Sequence, residues 1–525
     1  MSELIQKHLD SKLIKLSLVF ALIYSIFFNS VVSCYKFSYY KVTFLKAVLE
    51  LSKDFLYIYF TCFIIFFGLT IHRLVFIIGA IFLFITGAIA SYYLYFFKIS
   101  PTKEMMGSFF STDLNELYEI ISIRLIVWLI FSLFSCIYTM KHFSILDSKL
   151  FVTKLLSAIC LLISVNNIIA PKFKLLNSYF PIQYLHNTYL YLSNSNNKSS
   201  MRENIREKFS FIDQSDQNIV AVVVIGESAR FDHFGINGYF RNTTPYLSTV
   251  ENLFSFKAQS SSNHTCISVP SLMSRHPAKD IDKITGDTSF LSIFTMLDFN
   301  TNWIGTQSLV QYFKSKDPYT IYDQAKFSML PGGSVLLTRL DHDEKMLPYI
   351  KNIVDSSATK DVLIVHTSGS HWKYSARYPK EFEKFTPKCN STTMVDQSTC
   401  DPIQLVNDYD NTILYTDFFL YSVIDLLKNS NAILMYVSDH AESLGEHGYY
   451  GHGGPMIPEQ TTVPLLVWVS DEFKKKHPDL VSSIASHLDT EISHDYVFHS
   501  ILDCVGIRSA VIEKNLSLCS RKSNG

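Results

Sequence analysis

Five apolar stretches crowd the first third of the chain: Leu13 to Val32, Phe55 to Ile71, Leu74 to Phe97, Ile121 to Tyr138 and Leu155 to Ala170. Each is about long enough to cross the ~30 Å hydrocarbon core of a bilayer as a helix. Helices buried in soluble proteins rarely run so long or recur in series, and in lipid every backbone group must be satisfied within its own helix. The pattern predicts five transmembrane helices. Lys7, Lys12 and Lys15 precede the first span and no small-residue cleavage site follows it, so it reads as a retained anchor. His72-Arg73 and Lys141, Lys149 and Lys154 fall on the side of the N-terminus, as expected of a cytoplasmic face, whereas Lys36, Lys41, Lys46 and Lys53 fall on the other side. Five spans from a cytoplasmic N-terminus place everything beyond about Pro171 outside the inner membrane.

The expected organisation is a transmembrane helical domain over 1–171, a linker at the membrane surface over 172–218, and a catalytic α/β domain over 219–525. The linker is polar and aromatic, Ser-Asn-rich from Ser193 to Ser200, and its aromatics from Tyr179 to Tyr191 suit the interfacial belt. Beyond it, Ala221–Ile225, Val362–Val365, Ile433–Val437 and Val463–Val469 are short β-branched runs bounded by Gly, Ser or Pro. Such runs suit strands buried on both faces. Helical patterns lie between them, for example Tyr409 to Leu427, which predicts a largely parallel sheet. With 46 basic and 47 acidic residues the chain lacks the basic footprint of a dedicated nucleic-acid binder.

Cys34, Cys62, Cys136 and Cys160 lie in or beside the spans and read as small buried hydrophobes. Cys389 with Cys400, and Cys504 with Cys519, lie in loop-like sequence of the exported domain, where an oxidising compartment permits disulfides. Cys266 is left as a free thiol. Zinc ligation by these cysteines is the weaker alternative, because no Cys-x-x-Cys spacing occurs.

Sites in doubly wound sheets form beyond the carboxyl ends of the strands. There the sequence supplies Glu227-Ser228-Ala229-Arg230, then His366-Thr367-Ser368-Gly369-Ser370-His371, then Asp439-His440 followed by Glu442, Glu446, His447 and His452. Carboxylates and imidazoles converging from neighbouring strand ends can hold a divalent cation such as Zn²⁺. Singly, Glu227 could complement a helix dipole, Asp439 could be an N-cap, and His371, His440 or His452 could be ordinary buried or surface histidines. Their coincidence at strand ends of one domain favours a site. The segment His264 to Ser271 offers nucleophiles that a metal could activate, with Thr265, Cys266 and Ser268 all open, although Ser/Thr-rich loops are commonly turn chemistry.

Gly226-Glu227-Ser228-Ala229-Arg230, Asn237-Gly238-Tyr239, Arg241-Asn242-Thr243-Thr244-Pro245, Thr265 upstream of Ser268-Val269-Pro270, Gly369-Ser370-His371, Tyr409-Asp410-Asn411-Thr412, Ser438 to Ser443 and His452-Gly453 occur in one order. Together they resemble the bacterial phosphoethanolamine transferases. The resemblance implies an alkaline-phosphatase/sulfatase-like fold facing the periplasm, attached to an inner-membrane, multi-pass domain. It implies zinc-dependent transfer of phosphoethanolamine from phosphatidylethanolamine to lipopolysaccharide, in two steps through a phosphoethanolamine-threonine intermediate, with release of diacylglycerol. The family's metal ligands fall on Glu227, Asp439 and His440, with the nucleophile and further ligand on Thr265. Its two histidines for a second zinc or the donor phosphate fall on His371 and His452. Partners are thus the lipid donor, the lipopolysaccharide acceptor and the membrane, and a monomer is expected.

Lipid A-modifying members bracket the nucleophile loop with a disulfide, whereas Ser261 and Ser271 stand near those positions here. Thr306-Gln307-Ser308, His366 to Trp372 with Arg377-Tyr378-Pro379, and the Cys504 to Cys519 end look more like the branch that modifies the Kdo sugar. Lipid A phosphates or core heptose are alternative acceptors. Another reading is a membrane sulfatase or phosphodiesterase, such as a glycerol-phosphate polymerase. A sulfatase nucleophile needs Cys/Ser-x-Pro-x-Arg, and Ser268-Val269-Pro270-Ser271-Leu272 has Leu in place of Arg. A receptor that merely retained the fold would be expected to have lost part of the metal set.

Overall fold

The computed structural model describes residues 9–39, 44–111, 121–143, 148–171, 176–197, 205–284, 288–306, 325–329, 342–356, 360–389 and 399–521. Lys7, Lys41, Gln307 and Ser308 lie outside these, as do 172–175 and 198–204 of the expected linker. Contacts divide the chain into two compact units, residues 1–109 with 120–194, and 110–119 with 195–525.

In the first unit, α1 (Ser11–Phe27), α2 (Asn29–Tyr39), α3 (Phe44–Leu69), α4 (Arg73–Phe97), α5 (Ile123–His142) and α6 (Phe151–Ile169) carry the apolar stretches. The last four are long and apolar enough to cross a membrane, and α1 with α2 would make a fifth span bent by 40°. The first stretch therefore differs from the straight helix expected. The break sits at Phe28, where Asn29 Nδ2 donates to Phe180 O at 3.0 Å and Asn29 Oδ1 accepts from Phe180 N–H at 2.8 Å. The amide thus clamps the chain leaving α6 against the bend. α6 runs through Asn166 and Asn167 uninterrupted, with Asn166 O accepting from Ala170 N–H as an ordinary last-turn bond. Aromatic packing fills the interior: the Phe20 ring lies 5.3, 5.1 and 5.5 Å from those of Phe66, Phe76 and Phe84. Gly68 lets α3 and α6 approach closely, since a Cβ there would stand 2.7 Å from Leu161 N. A further helix, α7 (Ile182–Asn197), begins inside the expected linker, and its Ile182 and Tyr184 are buried in this unit's core.

The second unit holds an eight-stranded sheet of β1 (Ile219–Gly226), β2 (Leu253–Gln259), β3 (Asn300–Gly305), β4 (Phe327–Met329), β5 (Asp361–His366), β6 (Asn431–Ser438), β7 (Thr462–Val469) and β8 (Ile492–Ser493). Their order is β8-β2-β7-β6-β1-β5-β3-β4. From β6 to β4 neighbouring strands are parallel, but β7 runs antiparallel to both β6 and β2, so the sheet is mixed. Strand direction was invisible in the sequence because β7, like the mutually parallel β1, β5 and β6, is buried on both faces and reads as a continuous apolar run. Alternate residues of β1 serve opposite cores. Ala221, Val223 and Ile225 pack in the cluster with Phe498 and Ile501 of α10 (Asp495–Val505), numbered after α8 (Thr265–Met273) and α9 (Pro402–Leu427). Val220, Val222 and Val224 pack with Tyr409, Ile413 and Val423 of α9. That helix starts at Asp401, whose carboxylate caps Ile403 N–H at 2.8 Å, with Pro402 at its first position.

Cys389 pairs with Cys400 and Cys504 with Cys519, while Cys266 is in neither disulfide. The second bridge ties α10 to the chain end across a separation of 15 residues. Loop closure of that size restricts the unfolded chain by about 3 kcal/mol. Replacing both Cys504 and Cys519 by Ala is expected to lower the unfolding free energy of this unit by about that amount. Denaturant unfolding of the full-length protein measures it, and an unchanged midpoint would refute the assignment.

Candidate active site

β6, β1 and β5 are adjacent and parallel, with Gly226 opposite Ser438 and Ile225 opposite His366. Their carboxyl ends therefore deliver Glu227, Asp439-His440 and the Thr367–His371 loop to one edge of the sheet. Backbone bonds lace these ends together: Asp439 N–H donates to Gly226 O at 3.0 Å, Thr367 N–H to Ile225 O at 3.0 Å, and Ser370 N–H to Glu227 O at 2.9 Å. Gly369 sits at φ +45°, where a Cβ would meet Glu227 O at 2.9 Å, so this crossing requires glycine. Asp343 holds the same loop from behind, accepting from Thr306 Oγ1 at 2.6 Å, Ser368 N–H at 2.8 Å and Gly369 N–H at 3.1 Å. The Ser228 turn, at φ +57°, is held by Tyr409, whose hydroxyl donates to Ser228 O at 2.7 Å and accepts from Arg230 N–H at 2.9 Å.

Glu227, Asp439 and His440 are all buried, and their ligand atoms lie within 4.8 Å of one another. His440 Nε2 is 3.5 Å from Glu227 Oε1 and 3.4 Å from Asp439 Oδ2. The surroundings aim these atoms inward. Asp439 Oδ1 accepts from Ser228 N–H at 3.1 Å and His440 N–H at 2.7 Å, leaving Oδ2 buried without a hydrogen-bond partner among the described residues. His440 Nδ1 faces Ala441 O at 3.1 Å, so the proton belongs on Nδ1 and the Nε2 lone pair faces the carboxylates. Burial, with the charge of Asp439, pushes the Glu227 carboxyl well above its ordinary range. Burial likewise raises Asp439 and holds His440 well below the usual imidazole value. Two carboxylates and a neutral imidazole with an orphaned oxygen make a donor set that fits a divalent cation.

Thr265 stands at the first position of α8, its Oγ1 3.2 Å from His440 Nε2 and 3.4 Å from Glu227 Oε2. Ser268 Oγ instead donates to His264 O at 3.0 Å and Ser271 Oγ to Ile267 O at 2.8 Å, both within the helix. Of the hydroxyls left open by the sequence, Thr265 is the one brought to the carboxylates. His452 joins the cluster with its ring 4.1 Å from that of His440 and 6.1 Å from that of His371. Burial alone would lower the His452 imidazole, but the Glu442 carboxylate, 2.8 Å from Nδ1, outweighs it and lifts the group to about 9. His440, Glu442 and His452 also bring ligand atoms within 4.8 Å, yet there the Glu442–His452 bond already occupies donor and acceptor. His371 Nδ1 faces Trp372 O at 2.7 Å, and Arg377 steadies this loop through His371 O and Trp372 O. Glu446 pairs with Arg230, and exposed His447 lies 3.8 Å from Glu459, so neither joins the ligand set.

Asp343 holds the site's surroundings without having been singled out from the sequence, while Glu442, named there beside His452, holds them without an expected partner. Glu442 lies in the same run as His452, but spacing does not show which histidine it meets, and Asp343 comes from a distant segment with no motif. Ser261 takes part in a different tether: its N–H donates to His494 Nδ1 at 3.2 Å, so Nε2 carries the proton and donates to Ser438 O at 3.0 Å. Burial pushes His494 down to about 3, so it serves as a neutral bridge.

The sulfatase family model matches residues 219–507, over half of the chain, and the one described as phosphoethanolamine transferase EptA/EptB matches 59–194. The chain belongs to the sulfatase family. Taken together, the two matches make it similar to the EptA/EptB phosphoethanolamine transferases in both parts of the chain. It is 27% identical to the Kdo(2)-lipid A phosphoethanolamine 7''-transferase of Salmonella typhimurium over 94% of both chains. Integral membrane lipooligosaccharide phosphoethanolamine transferase A (EptA) from Neisseria meningitidis has the same fold, with TM-score 0.79 at 22% identity, covering 97% of this chain and 99% of that one. The C-terminal periplasmic domain of EcEptC from Escherichia coli, solved in complex with Zn, matches with TM-score 0.51 at 24% identity over 60% of this chain and 90% of that domain.

Asp439→Asn removes a buried charge while leaving Oδ1 able to accept both backbone bonds. Chelator-treated variant is expected to melt higher than chelator-treated wild type, because an uncompensated buried charge is costly. Only wild type should then gain stability on adding metal, and its affinity should rise between about pH 5 and pH 7 as the Asp439 carboxyl, raised to about 6, loses its proton. Thermal melts and metal titrations with elemental analysis read both effects; equal metal uptake by the variant would remove Asp439 from the ligand set.

Proposed function

We propose that the chain transfers phosphoethanolamine from phosphatidylethanolamine to the Kdo region of lipopolysaccharide, with Thr265 as nucleophile. The observation that carries this reading is the Thr265 hydroxyl within 3.4 Å of a buried carboxylate and imidazole, beside the orphaned Asp439 oxygen. Glu227, Asp439, His440 and Thr265 would hold the metal. Zinc suits the mixed oxygen and nitrogen donors, and when bound it lowers the pKa of a hydroxyl and offsets charge developing on phosphoryl oxygens.

Thr265 Oγ1 loses its proton toward Glu227 Oε2 and attacks phosphorus, and the bond from phosphorus to the diacylglycerol oxygen breaks. His452, held protonated by Glu442, gives that oxygen its proton, and His371 beside it meets the donor phosphate. In the second half the neutral His452 takes the proton of the acceptor hydroxyl. That oxygen attacks the phosphoethanolamine-threonine, and Thr265 leaves and regains its proton. All these residues come from one chain, so a monomer suffices.

The Kdo acceptor is supported by the Salmonella typhimurium relative, matched over 94% of its length, whereas Mcr-2 of Escherichia coli, at 32% identity, is matched over 55%. Inner-membrane placement with the second unit in the periplasm is supported by the five spans obtained when α1 and α2 cross as one bent helix, and by the two disulfides, which need an oxidising compartment.

Thr265→Ala is expected to bind metal and keep its melting temperature while diacylglycerol release from phosphatidylethanolamine falls by at least about 10³-fold. Turnover near wild type would overturn the nucleophile. Fragment mass spectrometry of lipopolysaccharide from cells with and without the protein should place the added phosphoethanolamine on the Kdo fragment. A mass increment confined to lipid A phosphates would overturn the acceptor.

A further inference from the structure

In the second unit, α9 runs from the site edge of the sheet back to the amino end of β6. Its Tyr409 already meets Ser228 O, just past the end of β1, and Ile403 stands about 9 Å further out along the helix. Phe240 is fixed at the same level. Its neighbour Tyr239 donates to Asp410 Oδ2 at 2.9 Å, and its other neighbour, Arg241, donates to Asp410 Oδ2 at 2.7 Å and to Asn407 Oδ1 at 2.9 Å. At 82% and 63% exposure, Phe240 and Ile403 are the most exposed large apolar side chains among the described residues of this unit. Anchored on both sides, the Phe240 ring is held out into water, a cost that burial against an apolar partner removes.

These side chains belong to one surface. The Arg241 guanidinium lies 5.5 Å from the Phe240 ring centroid and 5.3 Å from that of Phe385, and the Lys384 ammonium lies 5.9 Å from the latter. The N–H groups of Lys384 and Phe385 both donate to Asn411 Oδ1, at 3.0 and 2.8 Å. Ile403, Asn407 and Asn411 follow one another at four-residue spacing along one face of α9, so the helix carries the whole surface. Nearby acids are engaged elsewhere: Glu383 pairs with Lys388 at 2.7 Å, and Asp401 caps Ile403 N–H. Aromatic and aliphatic tips with cations among them settle at the boundary between lipid headgroups and acyl chains. With α3 to α6 long and apolar enough to cross a membrane, the chain carries such a boundary with it.

We propose that this surface docks on the phospholipid bilayer, with Phe240 and Ile403 dipping below the headgroups and Arg241 and Lys384 on lipid phosphates. The site edge of the sheet then rests at the membrane. Docking depends on the apolar tips and their cations, and not on the nucleophile, donor or acceptor proposed above.

The test uses the full-length protein, a single copy in each lipid nanodisc, with a tryptophan placed at one position at a time. Its emission, after subtracting that of the 4 native tryptophans, is compared in plain and acyl-brominated bilayers of phosphatidylcholine and phosphatidylglycerol. Phe240→Trp and Ile403→Trp should each lose most of the added emission to bromine. Ile212→Trp, at an exposed position just before β1 and so at the opposite edge, should lose none. Adding Lys384→Glu to Phe240→Trp should weaken the quenching, because that cation attracts an anionic surface. Unquenched emission at 240 and 403, equal quenching at 212, or quenching indifferent to Lys384→Glu overturns the proposal. Quenching that appears only when Kdo-bearing lipopolysaccharide is added would assign the surface to a saccharide and overturn it as well.

Discussion

Two carboxylates share a buried space with an imidazole that is neutral and whose lone pair faces them. Like charges in a low-dielectric setting repel strongly, and Asp439 Oδ2 has no hydrogen-bond partner within bonding geometry among the described residues. The arrangement persists because the scaffold over-determines it. Parallel register between β6 and β1 sets the two carboxylates side by side, and the backbone bonds to Asp439 Oδ1 turn its second oxygen inward. The fold stores an electrostatic demand that a divalent cation meets, and Thr265 is placed where that demand is greatest.

Outside this centre the polar contacts answer to position. Tyr409 reaches from α9 to the Ser228 turn, Asp343 steadies the loop that carries His371, and Glu442 fixes both the orientation and the charge of His452. Each is buried, so each can act at short range without competition from water.

Much of this was legible in the chain itself. Apolar runs of bilayer length announced the spans, and β-branched runs ending in Glu227, His366 to His371 and Asp439-His440 announced both the sheet and the edge where chemistry gathers. What was hidden follows from the physics of the pattern. A strand buried on both faces has no polarity that reports its direction, which conceals the reversal of β7. The bend at Phe28 depends on an amide that meets the backbone of Phe180, about 150 positions away, and nothing local to Asn29 encodes that meeting. Thr265, Cys266 and Ser268 are comparable in sequence. They separate only when the helix begins at Thr265 and turns the Ser268 hydroxyl back onto His264 O.

The Ser261–His494–Ser438 bridge joins the segment leading to Thr265 to the strand that delivers Asp439. A bridge of neutral hydrogen bonds assembles with the fold itself and asks nothing of an oxidant. The alignment of Thr265 with the strand that carries Asp439 is thereby insulated from thiol–disulfide exchange, and this centre can form before either cysteine pair has closed.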